Sequence, residues 1–219
     1  MTPHAPDVPQ ADDAPAGPPP GPAHAPARLV HPAALAAAPG LVSRADLGDV
    51  AWQVLLRDGD LVRLRGDVAL PRGVAETPAL RAAALASEVA RRDVVARVAA
   101  AWVHLGGPPP PRAVVVDGAA LGPRDVVRLG GVLVTSPART AVDLLRRDAP
   151  DVVHALLPGL LRAGVDAARL RTRLAAASGH RGVDRGLALL GEVVRATAAG
   201  SLPGQASTAG CSALAPVMR

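Results

Sequence analysis

The first ordered pattern along the chain predicts short helices. Apolar and polar positions over Pro32 to Ala38 indicate a helix, and Pro39-Gly40 would end it. Ser43 is a favourable N-cap, and Asp46 three residues later supports the first turn of a second helix that opens at Arg44. We therefore expect two short helices before residue 48.

A third helix and a β-ribbon follow. Helical spacing predicts a helix over Val50 to Arg57, which Asp58-Gly59-Asp60 would end. Its buried stripe would consist of Trp52, Leu55 and Leu56. Alternation of apolar and basic residues over Val62 to Arg65 indicates a half-exposed strand, Gly66-Asp67 a tight turn, and Val68 to Leu70 a returning strand closed by Pro71. Three helices and a ribbon, in this order, are typical of a winged helix-turn-helix.

The pattern changes after about residue 78. We expect a helix over Ala79 to Arg92, with Leu80, Ala84, Leu85 and Val89 buried and Arg81, Glu88, Arg91 and Arg92 outside. Val94 to His104 is either a helix or a strand passing into one. Ala113 to Val116 reads as a short buried strand, and Val126 to Leu129 pairs with Val132 to Thr135 as a hairpin. Ser136 is expected to cap a helix from Pro137 to Arg147.

Three further helices are predicted at about 150–163, 166–177 and 182–196. The fold class is therefore α+β: an N-terminal winged helix-turn-helix followed by a small sheet covered by several helices. The predicted organisation is a disordered leader at 1–27, the winged helix at 28–73, an α/β domain at 78–197 and a flexible tail at 198–219.

Composition narrows the chemistry. All 24 basic residues are arginine, which excludes Schiff-base lysine chemistry, a phosphate-loop lysine and lysine-containing nuclease motifs. After residue 27 these 24 arginines face 16 acidic residues, and this excess favours an anionic partner. Because the guanidinium fork matches phosphates and guanine edges, nucleic acid is a suitable one. The biased coding that an Ala-, Gly- and Pro-rich chain suggests is an alternative source of the arginines.

Other classes of function find little support. The single cysteine, Cys211, forms no internal disulfide, and no apolar run approaches the roughly 20 residues of a membrane helix, so we expect a cytoplasmic protein with no membrane partner. The six histidines show no metal-ligand spacing. No nucleophile elbow, phosphate loop or dinucleotide fingerprint is present. We expect no enzymatic activity, no metal and no cofactor.

The predicted winged helix suggests double-stranded DNA as partner. A helix in the major groove reads base edges, while the ribbon touches neighbouring phosphates. The candidate nucleic-acid-binding residues are Ser43, Arg44, Gln53, Arg57, Arg63 and Arg65, with Arg63 and Arg65 exposed on the ribbon. Residues 28–73 contain six arginines and five aspartates, however, so an ordinary solvated surface on a protein-binding winged helix is the alternative.

Two segments resemble a known family. Leu41-Val42-Ser43-Arg44-Ala45-Asp46-Leu47, with Arg63-Leu64-Arg65-Gly66-Asp67-Val68, is similar to the winged helix of AbiEi-type antitoxins of type IV toxin-antitoxin systems. The more specific match is Gly131-Val132-Leu133-Val134-Thr135-Ser136-Pro137-Ala138-Arg139-Thr140-Ala141-Val142-Asp143-Leu144, which resembles the family's Gly-x-x-Val-Thr-x-x-x-Arg-Thr-x-x-Asp-Leu segment. Together the segments span about residues 28–197.

The resemblance implies an antitoxin that represses its own operon at operator repeats and counteracts a nucleotidyltransferase-like toxin without a stable complex. This chain departs from the family at Val68-Ala69, where an aromatic is usual, and in a short 111–126 region. Pro158 is a further departure, since the family commonly has an uninterrupted helix there. A proline inside a helix costs about 3 kcal/mol or forces a kink, so we expect this helix to be split. We also expect that a nuclease-like extension present in many relatives has been lost here by truncation or frameshift.

The second domain contributes its own candidates. Arg139 and Asp143 lie four apart on one helix face, where they form either a phosphate-contacting pair or a structural ion pair. Arg169 and Arg173 belong to a later basic belt that is either a phosphate-binding surface or a solvated helical face. The belt comprises Arg162, Arg169, Arg171, Arg173, Arg181 and Arg185, with His180.

Three functions follow from these observations. The leading one is an antitoxin-like, DNA-binding transcriptional repressor. The near-neutral charge of residues 28–73 supports a second, a protein-interaction module. The third is an inactive remnant of a nuclease-fused protein.

Overall fold

The computed structural model describes residues 40–200. The predicted leader, the predicted helix at 32–38 and nearly all of the predicted tail lie outside this range. Within it the chain is a mixed α+β structure with two small sheets.

Five short elements make up the beginning of the described chain: β1 (Val42–Ser43), α1 (Arg44–Leu47), α2 (Asp49–Arg57), β2 (Leu61–Arg65) and β3 (Val68–Pro71). The strands form an antiparallel sheet in the order β1-β3-β2. The second and third predicted helices and the ribbon are therefore confirmed.

Glycine makes the two tight changes of direction in this segment possible. Gly48 separates α1 from α2 with φ 76°, and Gly66 turns β2 into β3 with φ 52°. Both angles lie in the left-handed region, where a side chain is strained. Between these turns, Trp52 of α2 packs with Leu61 and Ala69 of the ribbon in a small hydrophobic core.

The second region contains the other sheet and most of the helices. Its elements are α3 (Pro78–Ala83), β4 (Asp93–Val95), α4 (Arg97–Leu105), β5 (Val115–Asp117), β6 (Val126–Leu129), β7 (Val132–Thr135), α5 (Pro137–Arg147), α6 (Pro150–Arg162), α7 (Ala167–Ala176) and α8 (Val183–Ala198). The sheet order is β5-β4-β7-β6, with β4 and β7 parallel and the other pairs antiparallel. The 126–135 hairpin, the strand-then-helix alternative for 94–104 and the last four helices are confirmed.

One hydrophobic cluster joins the ribbon to the second region. Leu64 of β2 and Leu70 of β3 belong to the same buried cluster as Leu80, Trp102 and Val134. A second cluster lies among α5 to α8 and includes Leu144, Leu157, Leu174 and Leu190. Because Leu64 and Leu70 belong to the same buried cluster as residues of α3, α4 and β7, the ribbon and the second region share a core.

The α5–α8 contact depends on glycine. A Cβ at Gly182, whose φ is 83°, would lie 2.3 Å from the carbonyl oxygen of Arg146, and one at Gly186 would lie 3.3 Å from that of Leu145. The absence of side chains lets the beginning of α8 lie directly against the end of α5.

The predicted helix over Ala79 to Arg92 is wrong. Thr77 caps α3, whose last residue is Ala83, and a separate 3-10 turn covers Ala86–Glu88. Arg81, predicted outside, is 7% exposed. Its Nε donates to the carbonyl oxygen of Val103 at 2.9 Å and its Nη1 to Glu76 at 2.9 Å, so distant partners compensate for burying its charge.

Two smaller predictions also fail. The strand expected at Ala113 to Val116 corresponds to β5, which begins two residues later. It was predicted to be buried, but it is an edge strand whose residues are partly exposed. Pro158 does not split its helix, because α6 continues from Pro150 to Arg162. Leu157 and Leu160 are fully buried on either side of it, and their burial offsets the lost hydrogen bond.

No helix within residues 40–200 is long and apolar enough to cross a membrane.

Candidate nucleic-acid interface

Helix α2 presents one face to solvent. Val50, Gln53, Val54 and Arg57 are exposed, with spacings of three, four and seven residues from Val50. These spacings place them on one side of a helix. Val50 is 80% exposed and Val54 39%, while Trp52 on the opposite side is fully buried.

Ser43 and Arg44 position α2 rather than extend its face. The Ser43 hydroxyl accepts from the amide of Asp46 at 3.2 Å and donates to the Asp46 carboxylate at 2.5 Å. Ser43 is buried and is the N-cap of α1, as the sequence predicts, whereas its part in nucleic-acid binding stays a prediction. The cap fixes where α1 begins and hence where α2 follows.

Arg44 joins three elements. Its Nε donates to Asp49 at the start of α2 at 2.8 Å, and its Nη1 lies 3.6 Å from Asp67 in the ribbon turn. Its backbone amide also donates to the carbonyl oxygen of Asp67 at 2.8 Å. The hydrogen bond and charge of Asp49, with Asp67, raise the pKa of Arg44. This residue therefore holds the ribbon turn beside the beginning of α2.

Arg63 lies between α2 and the ribbon turn. Its Cζ is 5.6 Å from the centroid of the Trp52 ring, within the range of a cation–π contact, and its Nη1 donates to the carbonyl oxygen of Gly66 at 3.1 Å. Arg63 is exposed and forms no ion pair with any described carboxylate. Its guanidinium is thus oriented without being neutralised.

The prediction that the ribbon exposes Arg65 is wrong. The register shifts from Arg63 opposite Ala69 to Arg65 opposite Val68, so Leu64 is the extra residue of a β-bulge. Without the shift, Arg65 would face the same side as Arg63. The bulge turns Arg65 towards the second region, where it is 8% exposed.

Buried Arg65 is held by both charge and hydrogen bonds. Its guanidinium forms two hydrogen bonds to Glu88, and its Nε donates to the carbonyl oxygen of Pro110 at 3.2 Å. Glu88 also accepts from the amide of Ala113 at 3.0 Å. The Arg65 hydrogen bonds, with that amide, lower the pKa of Glu88 despite its partial burial. Arg65 therefore connects the ribbon to the second region and is not a surface cation.

Arg57, the last residue of α2, has a guanidinium that is accessible to a phosphate. Its Nε donates to Asp58 at 2.9 Å, but the two side chains are 75% and 45% exposed. Exposed pairs of this kind contribute about 0–1 kcal/mol, so the guanidinium can exchange Asp58 for a phosphate at little cost.

The second-domain candidates Arg139, Asp143 and Arg173 belong to one ion-pair network, in which Arg139 and Arg173 share the carboxylate of Asp125. Arg139 donates to Asp143 at 2.9 Å, as the spacing of four predicted, and to Asp125 at 3.1 Å, and Arg173 pairs with Asp125 from α7. Burial opposes the charge on Asp125, but Arg173 and Arg139 outweigh it and lower its pKa. Asp143 is 3% exposed. This network supports the structural alternative over phosphate contact.

The basic belt is divided in the structure. Arg173 is tied to Asp125, and Arg169, 87% exposed, lies 3.7 Å from Asp166. Arg181 and Arg185 instead lie beside the end of α5, where Arg146 donates to the carbonyl oxygen of Arg181 and Arg185 to that of Asp148. The belt is therefore not one continuous phosphate-binding surface along a single helix face.

No group of three or more His, Cys, Asp or Glu residues within the described range is arranged to hold a metal ion.

Sequence reasoning missed two features of this interface. The buried stripe of α2 was predicted from Trp52, Leu55 and Leu56, and the same spacing puts Val50 and Val54 on the opposite side. That signal was available, since two valines outside a helix's buried stripe are unusual. The bulge that buries Arg65 has no such signal, because its partner Glu88 lies 23 residues away.

Comparisons with protein-family models, with curated proteins and with solved structures found no match for this chain.

Proposed function

We propose that this protein is a DNA-binding transcriptional repressor in which residues 28–73 form a winged helix-turn-helix. Helix α2 enters the major groove, and the β2–β3 ribbon is the wing beside it. The observation that carries the proposal is the exposed face of α2, with Gln53 and Arg57, next to an oriented Arg63.

The arrangement of elements supports this assignment. The order β1, α1, α2, β2, β3, with β1 paired to β3, matches the later part of a winged helix-turn-helix. Arg44 keeps the ribbon turn beside the start of α2, as a wing requires. Gln53 is suited to bidentate recognition of adenine, while Arg57 and Arg63 are suited to phosphates.

The biological role we propose is that of an antitoxin-like repressor of its own operon, in a system whose toxin is nucleotidyltransferase-like. This part rests on the resemblance of the Gly131–Leu144 segment to AbiEi-type antitoxins. The structure places that segment in β7 and α5, where Arg139 and Asp143 support the fold. Co-expression with a neighbouring nucleotidyltransferase-like gene tests it: restored growth is the expected result, and undiminished toxicity contradicts the role.

DNA binding is tested by fluorescence anisotropy with the DNA upstream of the gene. We expect specific binding that weakens as salt rises, and a further loss in the Arg57→Ala, Arg63→Ala double variant. Arg195→Ala is the control for loss of charge alone: Arg195 is an exposed arginine on α8, outside α2 and the ribbon, so its loss should weaken binding to the upstream and scrambled duplexes alike. Absent binding, or equal binding by wild type and double variant, contradicts the proposal.

A protein-interaction module is the second candidate. The balance of charge in residues 28–73 favours it. A partner protein retained by the purified chain, together with no retention of DNA at low salt, distinguishes it from the repressor.

A further inference from the structure

Two exposed valines on α2 are not explained by packing within residues 40–200. Val50 is 80% exposed and Val54 39%, although this chain uses alanine widely in its helices. On a solvated helix surface valine is less favourable than alanine, because its branched side chain loses rotamer freedom there. Neither valine belongs to the buried core around Trp52. The positions are therefore suited to a contact outside the chain.

The two valines flank a residue that recognises bases. Val50 and Val54 are one helical turn apart, and Gln53 lies on the same face between them. Four residues of α-helix rise about 6 Å, close to two base-pair steps of about 3.4 Å. Val50 is in the first turn of α2 and Gln53 is its central residue, and the N-terminal part of a reading helix is the part that contacts base edges.

We propose that α2 reads A·T base pairs, with Val50 and Val54 each contacting the 5-methyl group of a thymine and Gln53 forming a bidentate pair with the adenine between or beside them. The inference rests on the proposed DNA-binding function and specifies which bases the same site prefers. In the major groove the thymine methyl is the one apolar group on a base edge, and adenine N6 and N7 match a glutamine amide.

The composition of the face favours DNA over a second copy of the chain. Its two apolar side chains are interrupted by Gln53 and followed by charged Arg57, whereas a stable protein interface buries about 800 Å² on each partner around an apolar centre. The neighbouring Arg63 is exposed and bears no carboxylate partner among residues 40–200, which suits a polyanion. The valines are thus small apolar contacts beside a glutamine and two exposed arginines, Arg57 and Arg63.

The experiment first selects a preferred duplex from a random pool with the full-length chain. Each thymine of that duplex is then replaced by uracil, which removes only the methyl group. We expect two positions at which the replacement weakens binding about three- to fivefold, the effect of one buried methyl. Replacement elsewhere in the duplex leaves binding unchanged.

Protein variants assign the methyl groups to side chains. Val50→Ala is expected to weaken binding to the thymine duplex and to abolish the uracil effect at one position, and Val54→Ala to do so at the other. Val115→Ala is the matched control, since Val115 is a 37% exposed valine on β5, outside both α2 and the proposed wing. Because Val50 and Val54 are exposed, melting temperatures close to that of the wild type are expected and are measured alongside.

The outcomes separate the two proposals. If the wild-type chain selects no sequence and binds no DNA, the proposed function fails. If it binds a selected duplex but every uracil replacement is silent, or the selected duplex is G·C-rich, the thymine-methyl inference is overturned and the function stands. A dimer that Val50→Ala dissociates while DNA affinity is unchanged overturns the inference in favour of an interface between copies.

Discussion

The two regions of the described chain differ in how they hold charge. Residues 40–77 contain five arginines and six carboxylates, whereas residues 78–200 contain seventeen arginines and ten carboxylates. The first region has the exposed face of α2, yet the excess positive charge lies in the second. Under the proposed function, α2 would supply base recognition and the second region a general attraction to a polyanion, which positive charge supplies without sequence preference.

The two regions also differ in how their arginines are used. In the first, Arg44, Arg57 and Arg65 form ion pairs, and Arg63 is oriented by Trp52 and Gly66. In the second, the arginines in ion pairs are Arg81, Arg97, Arg139, Arg169 and Arg173. Most arginines beyond residue 78 therefore have no described carboxylate partner, whereas four of the five in residues 40–77, all but Arg72, are held by an ion pair or by Trp52 and Gly66.

The largest expected effect tests whether the regions are separable at all. Trp52→Ala removes a fully buried side chain from the core of the first region and is expected to lower the free energy of unfolding by about 3–5 kcal/mol. Because Leu64 and Leu70 lie in the shared cluster, we expect the loss in a single transition. Urea denaturation followed by circular dichroism measures it.

Each region contains one tryptophan, so the unfolding of each region can be followed separately by fluorescence as a control for that prediction. The Trp102→Phe variant reports the first region by the fluorescence of Trp52, and the Trp52→Phe variant reports the second. Trp52 Nε1 has no hydrogen-bond partner in the described chain, so Trp52→Phe is the milder change, whereas Trp102 donates to the carbonyl oxygen of Gly107 at 3.0 Å. In each variant the fluorescence and circular dichroism midpoints should coincide. Separated midpoints would show two independently unfolding regions.

The next effect concerns the ion pair that connects the regions. Arg65→Ala leaves Glu88 without its guanidinium partner and is expected to cost about 1–3 kcal/mol, reduced from the fully buried case because Glu88 is 37% exposed. Arg57→Ala, which breaks an exposed pair, is the control and should cost under about 1 kcal/mol. Equal losses in thermal unfolding would mean that Arg65 makes no special connection.

The same pair has a predictable pH dependence. The Arg65 hydrogen bonds lower the pKa of Glu88 in the folded chain below its unfolded value. The stabilisation is therefore fully present above the unfolded pKa of about 4.3 and is lost as pH falls through the folded pKa. Stability measured between pH 6 and pH 3 should fall less steeply in Glu88→Gln than in the wild type. Parallel curves would contradict this assignment.

An intermediate effect separates base recognition from charge. Gln53→Ala is expected to reduce discrimination between preferred and scrambled duplexes by about 1–3 kcal/mol. Arg171→Ala with Arg181→Ala, two exposed arginines of the second region, should instead weaken binding to all duplexes alike and reduce the slope of log affinity against log salt. If the arginine variant alters sequence preference, the division between the regions is wrong.

The smallest expected effect lies at His104. Burial lowers the pKa of His104, outweighing the hydrogen bond from its Nε2 to the carbonyl oxygen of Thr135 at 2.8 Å. The unfolded chain then binds a proton more readily, so stability falls as pH drops below the unfolded pKa of about 6.5. His104→Gln should make the difference in stability between pH 7.5 and pH 5.5 smaller. Stability of the wild type that rises on acidification would contradict the sign.

Local sequence signals were sufficient for much of the fold. The caps at Ser43 and Ser136 and the turn at Gly130-Gly131 each depend on residues within a few positions, and the structure has them as predicted. Side-chain partners distant in sequence were not predictable in this way. Arg65 meets Glu88 across 23 residues and Arg173 meets Asp125 across 48, so neither burial nor neutralisation is visible in the local pattern.

The candidate interface likewise contains residues that local spacing predicts and residues whose position depends on distant partners. Gln53 and Arg57 were predictable as exposed because helical spacing alone sets their side of α2. The structural position of Arg44 was not, because it depends on Asp67 across the sheet. The burial of Arg81 was not predictable for a similar reason, since its side chain donates to the carbonyl oxygen of Val103, on a helix that the local pattern does not relate to it.

The shared placement of Leu64 and Leu70 has a practical consequence for anyone seeking a minimal DNA-binding fragment. A polypeptide ending near Gly73 would leave both leucines without the surfaces of α3, α4 and β7 that cover them. Hydrophobic strand residues exposed in this way promote association between chains. Such a fragment would be prone to precipitate on expression, and the whole chain is the sensible starting material.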